Sequence, residues 1–220
     1  QTINEIMSRP YSHLTIIPLF PQYSDTTSGT ALFEAMRNLS RYKYCPSITF
    51  IHDFCNHPHY ITSLAATIKK HWQKFGIPEK LVISFHGLPA DSFSKGDPYR
   101  HCCYETVNGI IHALNIDENF VKVVFQSRFG PKKWLQPYAE DTVKELGKHY
   151  KTVDIIAPSF YCDCLETLEE IKEGLAETFQ ESGGENLRYI PCLNDSDDSI
   201  QFLNHLLSDQ HNHHITSNVN

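Results

Sequence analysis

The sequence predicts an α/β protein made of Rossmann-like units, each a parallel sheet flanked by helices, with the first unit incomplete. Three observations carry this. Short apolar runs alternate with amphipathic stretches of about a dozen residues, the pattern of βαβ units. Glycines that suit helix ends stand at Gly76 and Gly147. No repeat of fixed short period appears, which argues against a solenoid.

The elements follow in order. His13–Phe20 (HLTIIPLF) reads as a buried strand, and Thr27–Arg41 as a helix with Leu32, Ala35, Met36 and Leu39 at helical spacing. Ser47–Ile51 is a second strand, and Pro58–Phe75 a helix stopped by Gly76. Lys80–Phe85 (KLVISF) is a strand, Tyr99–Leu114 a helix, Phe120–Phe125 a strand and Trp134–Leu146 a helix. Thr152–Ala157 is a strand, Cys164–Phe179 a helix, Leu187–Ile190 a short strand and Ser196–Leu207 the last helix. The strands from Lys80 onward suffice for one doubly wound unit, whereas the two before Gly76 cannot close a core. The expected division is residues 1–76 as the remnant of a first unit, 77–208 as a second, and 209–220 as a disordered polar tail carrying His211, His213 and His214. Gln1 begins without an initiator Met or a signal-like segment, so the start reads as a truncation.

Composition narrows the function. The chain has 220 residues, 40% of them apolar, which is ample for a core. A net charge of −7 argues against a nucleic-acid partner and suits a cationic substrate. No apolar run is long enough to span a bilayer. The seven cysteines show no disulfide framework, so a reduced, cytoplasmic chain with free thiols is expected. Neither GxGxxG nor GxxxxGK[ST] occurs, which disfavours a nucleotide enzyme.

Ligands of open parallel sheets sit beyond the carboxyl ends of the strands. The segments there are Pro21–Ser24, His86–Pro89, Gln126–Gly130 and Pro158–Cys164. A well-made turn explains any one of them alone; one site built from all four is the economical reading. His86 is the leading single candidate, since an imidazole can take a proton or bind a metal near neutral pH. A hydrogen-bonded histidine at a strand end is its plainer explanation. Asp163, Glu166, Glu169 and Glu170 cluster at a helix start, with Glu166 and Glu170 on one face. They either complement the helix dipole or offer oxygen ligands to a divalent cation beside the His86 nitrogen. The loop His52–His59 holds metal-ligand residue types but matches no zinc spacing. Cys162 and Cys164, with Cys102 and Cys103, would suffice in number for zinc or an iron–sulfur cluster if they converge.

Several of these stretches together resemble the ferrochelatase family. They are PLFPQYSDTTSG (Pro18–Gly29), SFHGLP (Ser84–Pro89), GDPY (Gly96–Tyr99), FQSRFGPKKWLQPY (Phe125–Tyr138) and DCLETLEEI (Asp163–Ile171), in family order across nearly the whole chain. The resemblance implies two chelatase-type domains, each with a four-stranded parallel sheet flanked by helices, and a porphyrin cleft between them. It implies insertion of Fe²⁺ into protoporphyrin IX to form protohaem, with Fe²⁺ as substrate and no permanent cofactor. His86 stands at the family's catalytic histidine and Glu166 at the carboxylate facing it. Asp163 and Glu170 match acidic positions of a metal or proton route, completing a metal-handling set with His86 and Glu166. Tyr23, Ser127 and Trp134 match positions near the porphyrin.

Departures matter too. The family's amino-terminal segment is missing from this sequence. Asp25 stands where animal enzymes have a cluster cysteine, and the tail has none, so an animal-type [2Fe–2S] cluster is not expected. Cys164 occupies a position that is histidine in animal enzymes. An apolar substrate implies peripheral membrane association, and a monomer or weak dimer is expected. Two rival readings remain: a cobalt or nickel tetrapyrrole chelatase, and a non-catalytic tetrapyrrole-binding protein.

Overall fold

A computed structural model describes residues 2–216, with side chains described for all of these except 93–95 and 209–216. Helix α1 (Thr2–Met7) precedes strand β1 (His13–Ile16). A π-helical turn, Asp25–Gly29, leads into α2 (Thr30–Leu39) and then β2 (Ser47–Phe50). β1 and β2 form a two-stranded parallel sheet in which His13 pairs with Ser47 and Ile16 with Phe50. The chain continues through α3 (Pro58–Phe75), β3 (Lys80–His86), α4 (Tyr99–Leu114), β4 (Val121–Gln126), α5 (Ala139–His149) and β5 (Thr152–Ile156). A π-helical segment, Glu166–Leu175, runs into α6 (Ala176–Glu181), followed by β6 (Asn186–Ile190) and α7 (Asp197–Thr216). The second sheet is wholly parallel, in the order β4-β3-β5-β6. The predicted α/β class with helix-flanked parallel sheets is what the chain forms.

Each strand of this sheet is apolar because both its faces are covered. Along β3, Leu81, Ile83 and Phe85 enter one core while Val82 enters the other. The first core joins β3 to α3, α4 and α7; the second lies under α5, the π-helical segment and Phe179 of α6. α3 begins with Pro58 in its first turn, where its missing N–H costs nothing, and buries Tyr60, Ile61, Leu64, Ala65 and Ile68 along one stripe. It stops at Gly76, whose φ of 82° is a conformation side chains disfavour. Although α3 precedes the expected division at residue 76, it packs in the same core as β3 and α4.

The differences from the sequence expectations have local causes. β1 ends at Ile16, just before Pro18, which has no N–H to give a ladder. The helix expected from Trp134 starts at Ala139 instead. Pro137 bars its predecessor from helical geometry, and residues 133–137 are claimed by other main chain. Ala90 N–H donates to Lys133 O (2.8 Å), Leu135 N–H to Leu88 O (2.9 Å) and Phe125 N–H to Pro137 O (2.8 Å). The helices expected from Thr27 and Cys164 open as π-helical turns. α7 continues to Thr216, so the backbone of residues 209–216 is helical where fraying was expected. The side chains of His211, His213 and His214, and residues 217–220, lie outside the described residues.

Two carboxylates, one buried and one partly buried, join the layers. Asp154 of β5 is fully buried and accepts from Arg188 Nε of β6 (2.6 Å) and Trp72 Nε1 of α3 (2.9 Å). The same guanidinium donates to Phe75 O and Gly76 O, closing the end of α3. Asp163, after β5, accepts from Tyr189 Oη (2.5 Å), Cys192 N–H (3.2 Å) and Asn194 Nδ2 (2.8 Å). Its own N–H donates to Asn194 Oδ1 (2.8 Å). Burial pushes the Asp163 carboxyl up, but these donors outweigh it and hold the group below the usual carboxylate range.

Asp154→Ala should cost about 3–5 kcal/mol by leaving Arg188 uncompensated, seen as a lowered urea midpoint. The double change Asp154→Leu with Arg188→Met should recover much of that loss. Asp163→Asn should cost about 1–3 kcal/mol at neutral pH. Because the folded carboxyl is depressed, its contribution is complete above an unfolded value of about 3.9. The gap between wild type and variant should therefore close as pH falls through the folded value of Asp163.

Candidate functional site

β3 and β5 are neighbours whose connections leave in opposite directions, which makes the gap beyond their carboxyl ends the switch point of the sheet. A cavity of about 220 Å³ opens there. Phe20, Gln22 and Thr27 from the β1–β2 unit form one wall; His86, Tyr99 and Glu166 form the other.

His86 is the last residue of β3 and is held on three sides. Its N–H donates to Ser159 Oγ (3.1 Å), its carbonyl accepts from Tyr99 Oη (2.9 Å), and its Nδ1 lies 2.7 Å from Gly87 O. A carbonyl oxygen only accepts, so Nδ1 carries a proton, and in the neutral imidazole the lone pair is then on Nε2. Glu166 opens the π-helical segment. Cys164 Sγ donates to its Oε2 (3.1 Å), and that bond, with its own N–H and the nearby His86, holds the carboxyl below the usual range. Its main-chain oxygen accepts from Gln126 Nε2 (3.2 Å), while Gln126 Oε1 accepts from Ser84 Oγ (2.8 Å). One buried amide thus ties β3, β4 and the π-helical segment together. The pair can take up a proton on imidazole opposite a fixed negative charge.

The other sequence candidates fall elsewhere. Both Glu170 oxygens are occupied, one by Ser127 N–H (2.7 Å) and one by Ser127 Oγ (2.6 Å). Ser127 reaches them through a left-handed turn, φ 63°. Glu170 and Ser127 line a second cavity of about 610 Å³, with Arg128 stacked on Tyr138 at 4.5 Å. Asp163 is consumed by the donors described above. Trp134 leans over Gly87: a Cβ added there would lie 3.2 Å from Trp134 Cε3 and 2.7 Å from Gln126 O. Tyr23 packs edge-on to His52 (5.7 Å), while its neighbours Gln22 and Ser24 line the first cavity. Among the described residues, no three His, Cys, Asp or Glu side chains are grouped to hold a metal ion, in the His52–His59 loop or around Cys162 and Cys164.

Asp97 and Gln22 were not singled out from the sequence. Asp97 Oδ2 accepts from Ser24 Oγ (2.9 Å) and Asp25 N–H (3.0 Å), and Oδ1 from Tyr99 N–H (2.9 Å). It fastens the two walls of the cavity. An acidic residue two before a helix start signals a cap, but not the distant loop it also holds. Gln22 Nε2 donates to Thr106 Oγ1 of α4 (3.0 Å). Beside the cavity, Leu19, Phe20, Leu165 and Leu168 stay exposed, Leu165 by 68%.

No helix among the described residues is long and apolar enough to cross a membrane. Residues 1–211 match the model of the ferrochelatase family. Ferrochelatase of Hamiltonella defensa is 42% identical over 207 residues, which cover 94% of this chain and 65% of that protein. The chain spans about 60% of the length of the curated relatives it matches. Among solved structures, SirB from Bacillus subtilis with Fe³⁺ superposes with a TM-score of 0.59 at 14% identity, covering 90% of this chain and 71% of SirB. A multi-domain Deinococcus radiodurans protein with structural similarity to chelatases gives 0.55 at 12% identity, covering 92% of this chain and 42% of its own. At such identities these two share the fold alone. The sequence match over nearly the entire chain decides the kinship: this chain belongs to the ferrochelatase family.

Proposed function

We propose that the protein of which this chain forms part inserts Fe²⁺ into protoporphyrin IX to give protohaem, with both metal and porphyrin as substrates. The observation that supports this reading is that His86 and Glu166 both line the switch-point cavity, with the Glu166 carboxyl held below the usual range. Insertion releases two pyrrole protons as the cation enters. His86 Nε2 accepts a proton, and the Glu166 carboxylate balances the imidazolium that results. Cys164 and Gln126 keep Glu166 in place, and Ser159 and Tyr99 do the same for His86. Trp134, Tyr23 and Ser127 serve the porphyrin, Trp134 offering a flat aromatic face. Glu170 and Asp163 act through Ser127 and the loop after β6 respectively, as holders rather than ligands.

The exposed Leu19, Phe20, Leu165 and Leu168 support contact between the cavity mouth and a membrane surface in which an apolar substrate dissolves. The protein works from the cytoplasm in this reading. Fe²⁺ enters as substrate, and no resident [2Fe–2S] cluster takes part.

The test is anaerobic haem formation by the full-length protein from Fe²⁺ and protoporphyrin IX, followed by absorbance. His86→Ala should lower the rate by about 10²-fold or more while porphyrin binding persists. Haem formation at the wild-type rate in that variant would overturn the role of His86. A folded protein that binds porphyrin without making haem would point to another metal or a carrier. Gly87→Ala should crowd both Gln126 O and Trp134 and weaken porphyrin binding by about 1 kcal/mol, measured by fluorescence quenching.

A further inference from the structure

The stretch Gly96–Tyr99 (GDPY) leads into α4, and Asp97 within it gathers donors from two distant parts of the chain. Oδ1 accepts from Tyr99 N–H (2.9 Å), two residues on. Oδ2 accepts from Ser24 Oγ (2.9 Å) and Asp25 N–H (3.0 Å), 73 and 72 residues away in sequence. Ser24 is wholly buried and caps the π-helical turn before α2. Its one hydrogen goes to Asp97, so in its 3.0 Å contact with Thr26 Oγ1 the threonine is the donor. A helix cap accounts for the bond to Tyr99 but not for the two bonds to the opposite cavity wall.

From Tyr99 the connection runs on to the imidazole. Tyr99 is buried, and its hydroxyl donates to His86 O (2.9 Å). That carbonyl shares a rigid peptide unit with Gly87 N–H, which donates to Gln126 O (2.8 Å). The unit is thus held at both edges. The next carbonyl, Gly87 O, lies 2.7 Å from His86 Nδ1 and sets the ring. A continuous run of directional bonds leads from Ser24 through Asp97 and Tyr99 to the His86 ring. Ser24, Tyr99 and His86 line the switch-point cavity, and Asp97 stands behind them.

We propose that Asp97 is a positioning residue that makes the aim of His86 depend on the seating of the opposite cavity wall. The inference rests on the reading of His86 as the proton acceptor. With the wall in place, Ser24 and Asp25 hold Asp97, Asp97 holds the start of α4, and Tyr99 holds the His86–Gly87 peptide. A displaced wall withdraws two of the three donors and frees the carboxylate to swing. Seating of the wall and alignment of the base become one event. Asp97 acts through Tyr99 rather than on the reacting atoms.

The experiment is a double-mutant cycle on the full-length protein with Ser24→Ala and Tyr99→Phe, two residues that share Asp97 as a partner. Anaerobic haem formation gives kcat and the porphyrin KM. Tyr99→Phe should lower kcat by about tenfold with KM changed by less than about twofold, the mark of lost alignment rather than lost binding. Ser24→Ala should lower kcat by a smaller factor. The double variant should have the kcat of Tyr99→Phe alone, because both changes cut one path; kcat losses that multiply would overturn the proposal. Hydrogen exchange supplies an arm that needs no turnover. Asp97→Asn turns an NH₂ toward a donor whichever way its amide is placed, and should speed exchange in peptides covering residues 24–30 and 84–89. Tyr99→Phe should speed only the second. Faster exchange in 24–30 alone, in Asp97→Asn, would make Asp97 a local cap and overturn the proposal. If Asp97→Asn does not fold, the cycle decides, since its variants keep the carboxylate. Wild-type protein that makes no haem would defeat the chelatase reading, and the exchange arm would still decide the coupling.

Discussion

The register of β3 is the constraint on which the site depends. β3 is hydrogen-bonded on both sides, to β4 from Leu81 to His86 and to β5 from Lys80 to Ile83. A slip of one residue would exchange Leu81, Ile83 and Phe85 with Val82 and Ser84 between the two cores, and would turn the His86 ring to the opposite face. Burial on both faces makes such a slip costly, so the same apolar packing that holds the sheet also aims the imidazole. Ser84, the one polar residue inside the strand, is satisfied by Gln126 and thereby checks the register against β4.

Around that fixed strand, polar groups of high sequence separation assemble the cavity. Asp97, Gln22 and Thr106 fasten the segment Phe20–Thr27 to α4, and Tyr60 Oη donates to Pro158 O (2.6 Å) from beneath. These groups are buried or nearly so, where an unmade hydrogen bond is expensive. Their mutual hydrogen bonds fix one arrangement of the two walls. Apolar contacts alone would tolerate several, since they carry no directional preference.

Local pattern revealed much of this, and its limits are physical. α3 and α4 were legible to the residue because a proline start, a glycine or asparagine end and a clean stripe agree within each segment. The position of His86 at the end of β3 was legible because strand ends are a local property. The 134–138 segment was misread because its partners, Leu88, Ala90 and Phe125, are not neighbours in sequence. Glu166, Glu170 and Asp163 read as one acidic cluster, yet their oxygens face three different environments. Charge pattern shows which residues are acidic; the donors that claim them come from β4, β6 and the loops beyond.

The π-helical segment sets an angular phase. Thr167, Ile171, Leu175 and Phe179 are all buried, at a strict spacing of four. In an α-helix that spacing drifts by about 40° each step, so by Phe179 the stripe would have rotated about 120° off the core. The wider π turn takes up the drift and keeps a four-residue period on both sides of the rod. Glu166, Glu170 and Gly174 consequently stay aligned toward the two cavities. The segment behaves as a spacer with its own pitch, letting the site-facing row be read off in register with a core-facing row that α-helical winding would have pulled apart.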